Sequence, residues 1–331
     1  MNRRKSIIYT SIFVLILAVI SSVLTLKGCF KSTLSRTFFA ADTVCTITIY
    51  NSSEDVLDGA VDLCNSLADK FNCKYESSEI GKLNKTKVCN NPSSELAEII
   101  EKGVHFSKLK NGLFDITVKP LSSLWDFKNK TVPNNEDIAA ALEKVNYKNI
   151  VKGENSISLK NNAEIDLGGI AKGYMADKIS DFLVKNGVKS GIVNLGGNIT
   201  VIGKKDNGEF NIGIKSPFEE GNIATISCSD RSVVTSGVYQ RYFENDGEFY
   251  HHLLDTKSGY PAKNSLFSVT IITKSATRAD ALSTLCFLLG KENGLSFIEA
   301  TENTEAVFID ENNKIYLSSG LKQSGNLIEI K

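Results

Sequence analysis

Asp166-Leu-Gly-Gly-Ile-Ala-Lys-Gly-Tyr-Met-Ala-Asp177 is the stretch on which the reading of this chain turns. Ile165 and Leu167 flank Asp166 in a short alternating run. Beyond the glycines, Ile170, Tyr174, Ile179, Phe182 and Leu183 fall at helical spacing. The pattern predicts a strand, a tight glycine turn and a helix start. Such a turn leaves backbone N–H groups free at a helix N-terminus, and those groups bind anions, phosphates above all. A carboxylate, Asp166, and a cation, Lys172, flank the turn. A glycine-bent connection with solvated charges is the competing reading, and turn chemistry alone does not separate the two.

Working outward, 331 residues allow two domains or one large one. An apolar content of 42% with 23% charged residues fits a globular protein with a real core. The formal net charge is zero, so no global field favours nucleic acid. The N-terminus differs from the rest. Arg3, Arg4 and Lys5 precede an apolar run from Ile7 to Leu26, which is the charge-then-apolar order of an export signal. The run is also long enough to stay as an uncleaved anchor. Alternatively Leu26-Lys27-Gly28-Cys29 serves as a bacterial lipobox with lipid on the Cys29 thiol, although Lys27 stands where a small or apolar residue is usual. Either way residues 1–29 are a signal peptide or anchor, and residues 30–331 are expected at the extracytoplasmic face of the cell membrane. Six cysteines follow Cys29 without a CxxC pair or zinc spacing. Cys64 and Cys286 lie on apolar helix faces, so mostly free, buried thiols are expected.

In chain order, Thr43–Tyr50 alternates as a strand and Asp55–Phe71 has the apolar spacing of an amphipathic helix. A polar loop, Asn72–Asn84, carries Tyr75, an isolated aromatic that can stack a planar ligand but more often caps a core edge. A helix is expected from Pro92-Ser93-Ser94 to about Lys110, and another over Asn135–Val145. Ser156–Leu159 and Ala163–Leu167 around Asn161-Asn162 read as a hairpin. Gly187 is a natural helix stop, and Asn194-Leu-Gly-Gly-Asn198 is a second glycine turn. Phe210–Ile214, Ala224–Cys228 and Ser268–Thr273 are strand candidates. Ala279–Leu289 is a helix ended by Gly290, and Ala306–Asp310 with Lys314–Ser318 form a closing hairpin. With no internal repeat or linker, the fold class is α+β in a single unit, with mixed or antiparallel sheets and packed helices.

The helix Ala279–Leu289 gives the sharpest chemical argument. Asp280 and Thr284 are four apart and stack on the side opposite Leu282, Leu285 and Leu289. A carboxylate and a hydroxyl projecting together are hard oxygen ligands, suited to Mg²⁺ or Ca²⁺. The plainer reading makes Asp280 a helix-end residue and Thr284 a solvated one. A lone histidine more often satisfies a backbone carbonyl, but in a site with a metal and a phosphate ester His252, or His251 beside it, would be the proton acceptor. No Ser-His-Asp order, Walker loop or dinucleotide GxGxxG stands out.

Taken together, these stretches resemble the ApbE family of FAD:protein FMN transferases. The resemblance rests on Asp166–Asp177, on Gly112-Leu-Phe-Asp-Ile-Thr-Val118 and on Thr235-Ser-Gly-Val-Tyr-Gln-Arg241. His251-His-Leu-Leu-Asp-Thr-Lys-Ser-Gly-Tyr-Pro261 is similar to the family's histidine motif and Ala279-Asp-Ala-Leu-Ser-Thr284 to its metal motif, all in family order over residues 38–320. Val238 and Thr256 depart from the family pattern, and the turn at Ala41-Asp42-Thr43 is altered. The resemblance implies that Asp280, Thr284 and the Gly169 carbonyl hold Mg²⁺, with Ser283 assisting. It implies that Asp166, Lys172, Leu113, Phe114, Asp115, Leu254, Tyr75 and Ala41 contact FAD, and that His252 activates the attacking hydroxyl.

The implied reaction moves FMN from FAD to a Thr or Ser hydroxyl of an exported or membrane-embedded partner protein and releases AMP. A Mg²⁺-dependent FAD pyrophosphatase and a non-catalytic flavin-binding lipoprotein are the alternatives. A third, flavinylation of the chain itself at Ser275-Ala276-Thr277, rests on a loose likeness.

Overall fold

The structure, a computed structural model, describes residues 32–216 and 219–331. The apolar run Ile7–Leu26 and Cys29 lie outside the described residues. No helix among the described residues is long and apolar enough to cross a membrane.

An eight-stranded antiparallel sheet organises the chain. Its strands are β1 (Thr33–Ala40), β2 (Thr43–Tyr50), β6 (Gly191–Leu195), β7 (Asn198–Ile202), β10 (Arg231–Gly237), β13 (Leu266–Thr273), β14 (Thr304–Asp310) and β15 (Ile315–Leu317), neighbours in that order. Ala41 and Asp42 join β1 to β2 with φ of 51° and 59°, the left-handed pair that a two-residue hairpin requires. Both faces of the central strands are covered, so adjacent apolar residues serve opposite cores. Val234 and Ile271 face one core, while Val233 and Ile272 face the other. This is why these strands read as continuous apolar runs rather than as alternation.

The first core lies between the sheet and the helices α1 (Glu54–Phe71), α2 (Glu79–Thr86), α3 (Ser94–Leu109), α6 (Ala171–Lys185) and α7 (Ala276–Glu299). The second is closed by a four-stranded sheet of β8 (Phe210–Lys215), β9 (Asn222–Cys228), β16 (Leu321–Ser324) and β17 (Leu327–Ile330). There β17 runs parallel to β9 while the other pairs are antiparallel. A third, small core joins α4 (Lys119–Ser122) and α5 (Asn135–Leu142) to the hairpin of β11 (Tyr242–Asn245) and β12 (Glu248–His251), around Trp125, Phe243 and Leu254. The α+β class with antiparallel and mixed sheets stands as expected.

Local differences have physical causes. Asn72–Asn84 is not all loop: Ser78 caps α2 by accepting from the Gly81 N–H at 2.9 Å, and Ile80 and Leu83 enter the core. The hairpin expected around Asn161-Asn162 does not form. Instead β5 (Ser156–Leu159) pairs with β3 (Val88–Asn90) and β4 (Ile150–Lys152). The Asn84 carboxamide holds both backbone groups of Ile165, accepting at 2.7 Å and donating at 2.8 Å, and so fixes the approach to Asp166. The chain closes with β16–β17, one hairpin later than expected. Gly290 (φ 75°) interrupts α7 where the sequence places its stop. All six cysteines among the described residues are free; Cys45, Cys64, Cys228 and Cys286 are buried and Cys73 and Cys89 half-buried.

Candidate active site

The site forms where α6 and α7 cross. Asp177, on α6, binds the start of α7. Its Oδ1 accepts from the Ala276 N–H at 2.7 Å. Its Oδ2 accepts from the Thr277 N–H at 3.0 Å, the Thr277 hydroxyl at 2.6 Å and the Ser275 hydroxyl at 2.8 Å. A carboxylate on free N–H groups at a helix start is stabilising for both hydrogen bonding and the helix dipole. One turn earlier on α6, a Cβ at Gly173 would lie 2.2 Å from the Ala276 carbonyl oxygen and 2.7 Å from the Asp280 Cβ. Only glycine permits this approach. The Gly173 N–H then donates to Asp280 Oδ2 at 2.9 Å. So a free N–H behind the glycine turn binds a carboxylate of the neighbouring helix, not a phosphate.

Asp280 is buried at 4% exposure, and its Oδ1 has no hydrogen-bond partner among the described residues. Thr284 sits one turn along, its Oγ1 3.1 Å from Ser236 Oγ on β10. A Cβ at Gly169 would come 2.9 Å from the Phe114 ring and 3.7 Å from Thr284 Oγ1, so the Gly169 backbone lies against both. Gly169 thus lies beside Thr284, and Asp280 and Ser283 precede Thr284 within one turn of the same helix. The site offers the Asp280 carboxylate and the Thr284 hydroxyl, and the family resemblance would add the Gly169 carbonyl. Such an all-oxygen set fits Mg²⁺, which takes one carboxylate and completes its shell with water and substrate phosphate.

Around this cradle, Asp166 accepts from the Ser122 hydroxyl at 2.9 Å and from the Gly168 N–H at 2.8 Å. The Lys172 ammonium reaches the Gly168 carbonyl at 3.5 Å. Asp115 is spent locally: Oδ1 accepts from the Thr117 N–H and hydroxyl, and Oδ2 from the Tyr147 N–H at 2.8 Å. Burial pushes its carboxyl up from the usual range, and those hydrogen bonds oppose the shift. It shapes the Leu113–Phe114 turn, to which Thr256 ties itself by donating to the Gly112 carbonyl at 2.7 Å. Leu254 is buried in the small third core. Tyr75 is 57% exposed. Its loop meets the Ala41–Asp42 turn through Lys74 Nζ and Asp42 Oδ2 at 2.5 Å. That loop also lies by Asp166, since burial and then the Asp166 charge push the Cys73 thiol up to about 12.

The two histidines separate cleanly. His251 accepts from the Leu253 N–H at Nδ1 and donates from Nε2 to the Ala262 carbonyl, both at 3.2 Å. Both nitrogens are used, and burial pushes it down to about 4. His252 lies with Nδ1 3.2 Å from the Arg241 carbonyl. A carbonyl only accepts, so Nδ1 carries the proton and Nε2 carries the lone pair. That Nε2 has no hydrogen-bond partner among the described residues. Burial pushes His252 down to about 3; the nearby charges of Arg241 and Lys172 add to this.

Gly173, Asp177, Ser236 and the Arg241 carbonyl are the parts that residue patterns did not single out. Gly173 and Asp177 sit inside the opening stretch, and a glycine in a helical register is the signal that marks a close helix contact.

Fold and site define a class: an α+β protein in which one helix, the glycine turn before another and one strand of an antiparallel sheet bring a buried carboxylate and hydroxyls together, and the end of a small hairpin presents a histidine whose Nε2 has no hydrogen-bond partner among the described residues. The chain belongs to the ApbE family, whose model matches residues 41–308. A Klebsiella pneumoniae protein named FAD:protein FMN transferase is 37% identical over 234 residues, 69% of this chain and 72% of its own. One of the same name from Treponema pallidum is 33% identical over 247 residues, 68% of each. Among solved structures, the ApbE protein of Thermotoga maritima superposes with a TM-score of 0.81 at 31% identity, covering 87% of this chain and 97% of its own. The flavin transferase ApbE of Vibrio cholerae gives 0.79 at 25% identity, covering 88% and 98%.

Proposed function

We propose that this chain is a Mg²⁺-dependent FAD:protein FMN transferase. It acts on a Thr or Ser hydroxyl of an exported or membrane-embedded partner, and the N-terminal segment of residues 1–29 tethers it outside the cell membrane. What supports the reading is the buried Asp280, with Oδ1 unpartnered among the described residues, one turn from Thr284, together with a His252 whose Nε2 has no hydrogen-bond partner among the described residues. A flavin store needs neither a metal cradle nor a base.

Asp280, Thr284 and the Gly169 carbonyl would hold the cation, with Ser283 assisting. A Mg²⁺ held there would supply charge neutralisation at the pyrophosphate and at the leaving AMP. Asp166 and Lys172 position FAD. Phe114, Leu113 and Leu254 give apolar walls, and Tyr75 with the Ala41 turn offers an aromatic face to a planar ring. Asp115 holds the Leu113–Phe114 turn so that its backbone meets the substrate. His252 Nε2 takes the proton of the acceptor hydroxyl, which is too weak an acid to ionise unaided. As that oxygen bonds to the FMN phosphorus, the bond from this phosphorus to the AMP phosphate oxygen breaks, and AMP departs with the electron pair. The Arg241 carbonyl on Nδ1–H keeps the imidazole in the accepting tautomer.

Mass spectrometry tests the reaction. Residues 30–331 with FAD, Mg²⁺ and a flavin-subunit domain are expected to add one FMN to the partner. Free FMN and AMP with an unmodified partner would make the protein a pyrophosphatase, and intact bound FAD would refute both enzymatic readings. Self-flavinylation at Ser275-Ala276-Thr277 is disfavoured, because both hydroxyls are held by Asp177 and Thr277 is buried.

A further inference from the structure

We infer that Ser236 is a positioning residue that sets the proton direction of Thr284, so that Thr284 offers a lone pair to the cation. The inference rests on the metal reading of Asp280 and Thr284. Three hydroxyls lie in a row. Ser283 donates to the Asp280 carbonyl, three residues back on its own helix, at 2.9 Å. Ser236 Oγ is 2.7 Å from Ser283 Oγ and 3.1 Å from Thr284 Oγ1. Each hydroxyl has one proton to give. With the Ser283 proton spent on a carbonyl, the 2.7 Å contact requires Ser236 to donate to Ser283. The Ser236 proton is then spent as well, so Thr284 donates to Ser236. The direction runs Thr284 to Ser236 to Ser283 to the Asp280 carbonyl, with no freedom left in the row.

The consequence falls on Thr284. A cation needs the oxygen's lone pairs, and a hydroxyl proton aimed at the site opposes it. A threonine in mid-helix ordinarily turns its proton back on the carbonyl four residues earlier, which for Thr284 is that of Asp280. Ser283 already occupies that carbonyl, and Ser236 supplies the alternative acceptor from the strand side. Burial keeps water from substituting: Ser236 is 7% exposed and Ser283 0%. Ser283 therefore acts as the end of the relay, not as the principal ligand. The relay also ties α7 to the C-terminal end of β10, at the residue before Gly237. Groups that orient a metal ligand from behind typically change metal affinity by about 10–100-fold when removed.

The test reads cation binding without turnover. Mn²⁺, a hard-cation probe followed by electron paramagnetic resonance, is titrated into the FAD-bound protein without acceptor. Ser236→Ala is expected to weaken Mn²⁺ binding about 10-fold or more. FAD affinity measured in chelator should stay unchanged, and Ser236→Thr, which restores the donor and acceptor, should bind within about 2-fold of the parent. If the alanine variant does not melt cooperatively, Ser236→Cys, similar in shape with a much weaker donor, takes its place and should also bind weakly. Parent-like Mn²⁺ affinity in Ser236→Ala, while Asp280→Ala loses it, overturns the relay and leaves the metal site standing. Parent-like affinity in Asp280→Ala removes the metal site and the relay with it.

Discussion

The Asp177 carboxylate of α6 binds the first turn of α7 through four hydrogen bonds of 2.6–3.0 Å, so two helices that meet near the end of one sheet strand are fixed in register. Replacing a helix-cap carboxylate by alanine costs about 1–2 kcal/mol. Charge assistance places this one at the upper end. Asp177→Ala should lower the thermal midpoint by several degrees, and because α7 carries Asp280 and Thr284, it should also weaken Mn²⁺ binding. Scanning calorimetry with a parallel Mn²⁺ titration measures both. An unshifted midpoint would contradict the account of the cap.

Gly173 is the point of closest approach between those helices. An added methyl there meets the Ala276 carbonyl oxygen at 2.2 Å, and backbone cannot step aside as a side chain can. Gly173→Ala should destabilise the fold by about 3 kcal/mol, the upper range for overpacking, and displace Asp280. Denaturant unfolding with an unchanged midpoint would show that the helices can part at no cost.

His252 makes a prediction for the pH profile. Burial holds it down to about 3, so in the free enzyme it stays neutral and competent throughout pH 5–8. The profile of kcat/KM for FAD reports free-enzyme groups. It should show no loss between pH 8 and 5 with a midpoint near the ordinary histidine value. An unperturbed histidine would cost about 30-fold at pH 5. Once FAD is bound, its pyrophosphate favours imidazolium, so the acid limb of kcat should lie above that of kcat/KM. A kcat/KM limb at pH 6–7 that disappears in His252→Ala would contradict this placement while retaining the residue as base.

His251 predicts stability rather than rate. Its folded value, down to about 4, lies below the unfolded one. The unfolded chain therefore binds the extra proton between the two values, and stability is lost as pH falls from about 6.5 toward 4. From pH 7 to 5 this site alone should remove about 2 kcal/mol. Urea midpoints at the two pH values measure the loss. His251→Phe, though weaker at every pH for leaving the Leu253 N–H and Ala262 carbonyl unpaired, should flatten the slope. An equal slope in parent and variant would place the pH sensitivity elsewhere.

Much of this molecule is legible in its sequence where information is local. Alternation gives Thr43–Tyr50 to the residue, and Gly290 breaks the helix where expected, although helix resumes beyond it to Glu299. Asp280 and Thr284 share a helix side because four residues make about one turn. The failures lie where partners are distant. Ser158 pairs with Val88, seventy residues away, and nothing near Asn161-Asn162 announces it. The short helix α2 has two buried large apolar residues, Ile80 and Leu83, in a polar stretch, and its Ser78 cap resembles loop chemistry. Telling His251 from His252 needs the carbonyls of Ala262 and Arg241, which no spacing reveals. The opening stretch shows both sides: its glycine turn and helix read correctly, yet the N–H at Gly173 meets Asp280, 107 residues on.

The most direct measurement is the mass of the acceptor after incubation with FAD and either the parent protein or Asp280→Ala, with and without chelator. The account predicts an FMN addition by the parent in Mg²⁺, its loss in chelator, and a rate in Asp280→Ala lower by about 100-fold or more. An acceptor flavinylated equally fast by Asp280→Ala, or by the parent in chelator, would contradict the claim that the α6–α7 cradle carries the reaction.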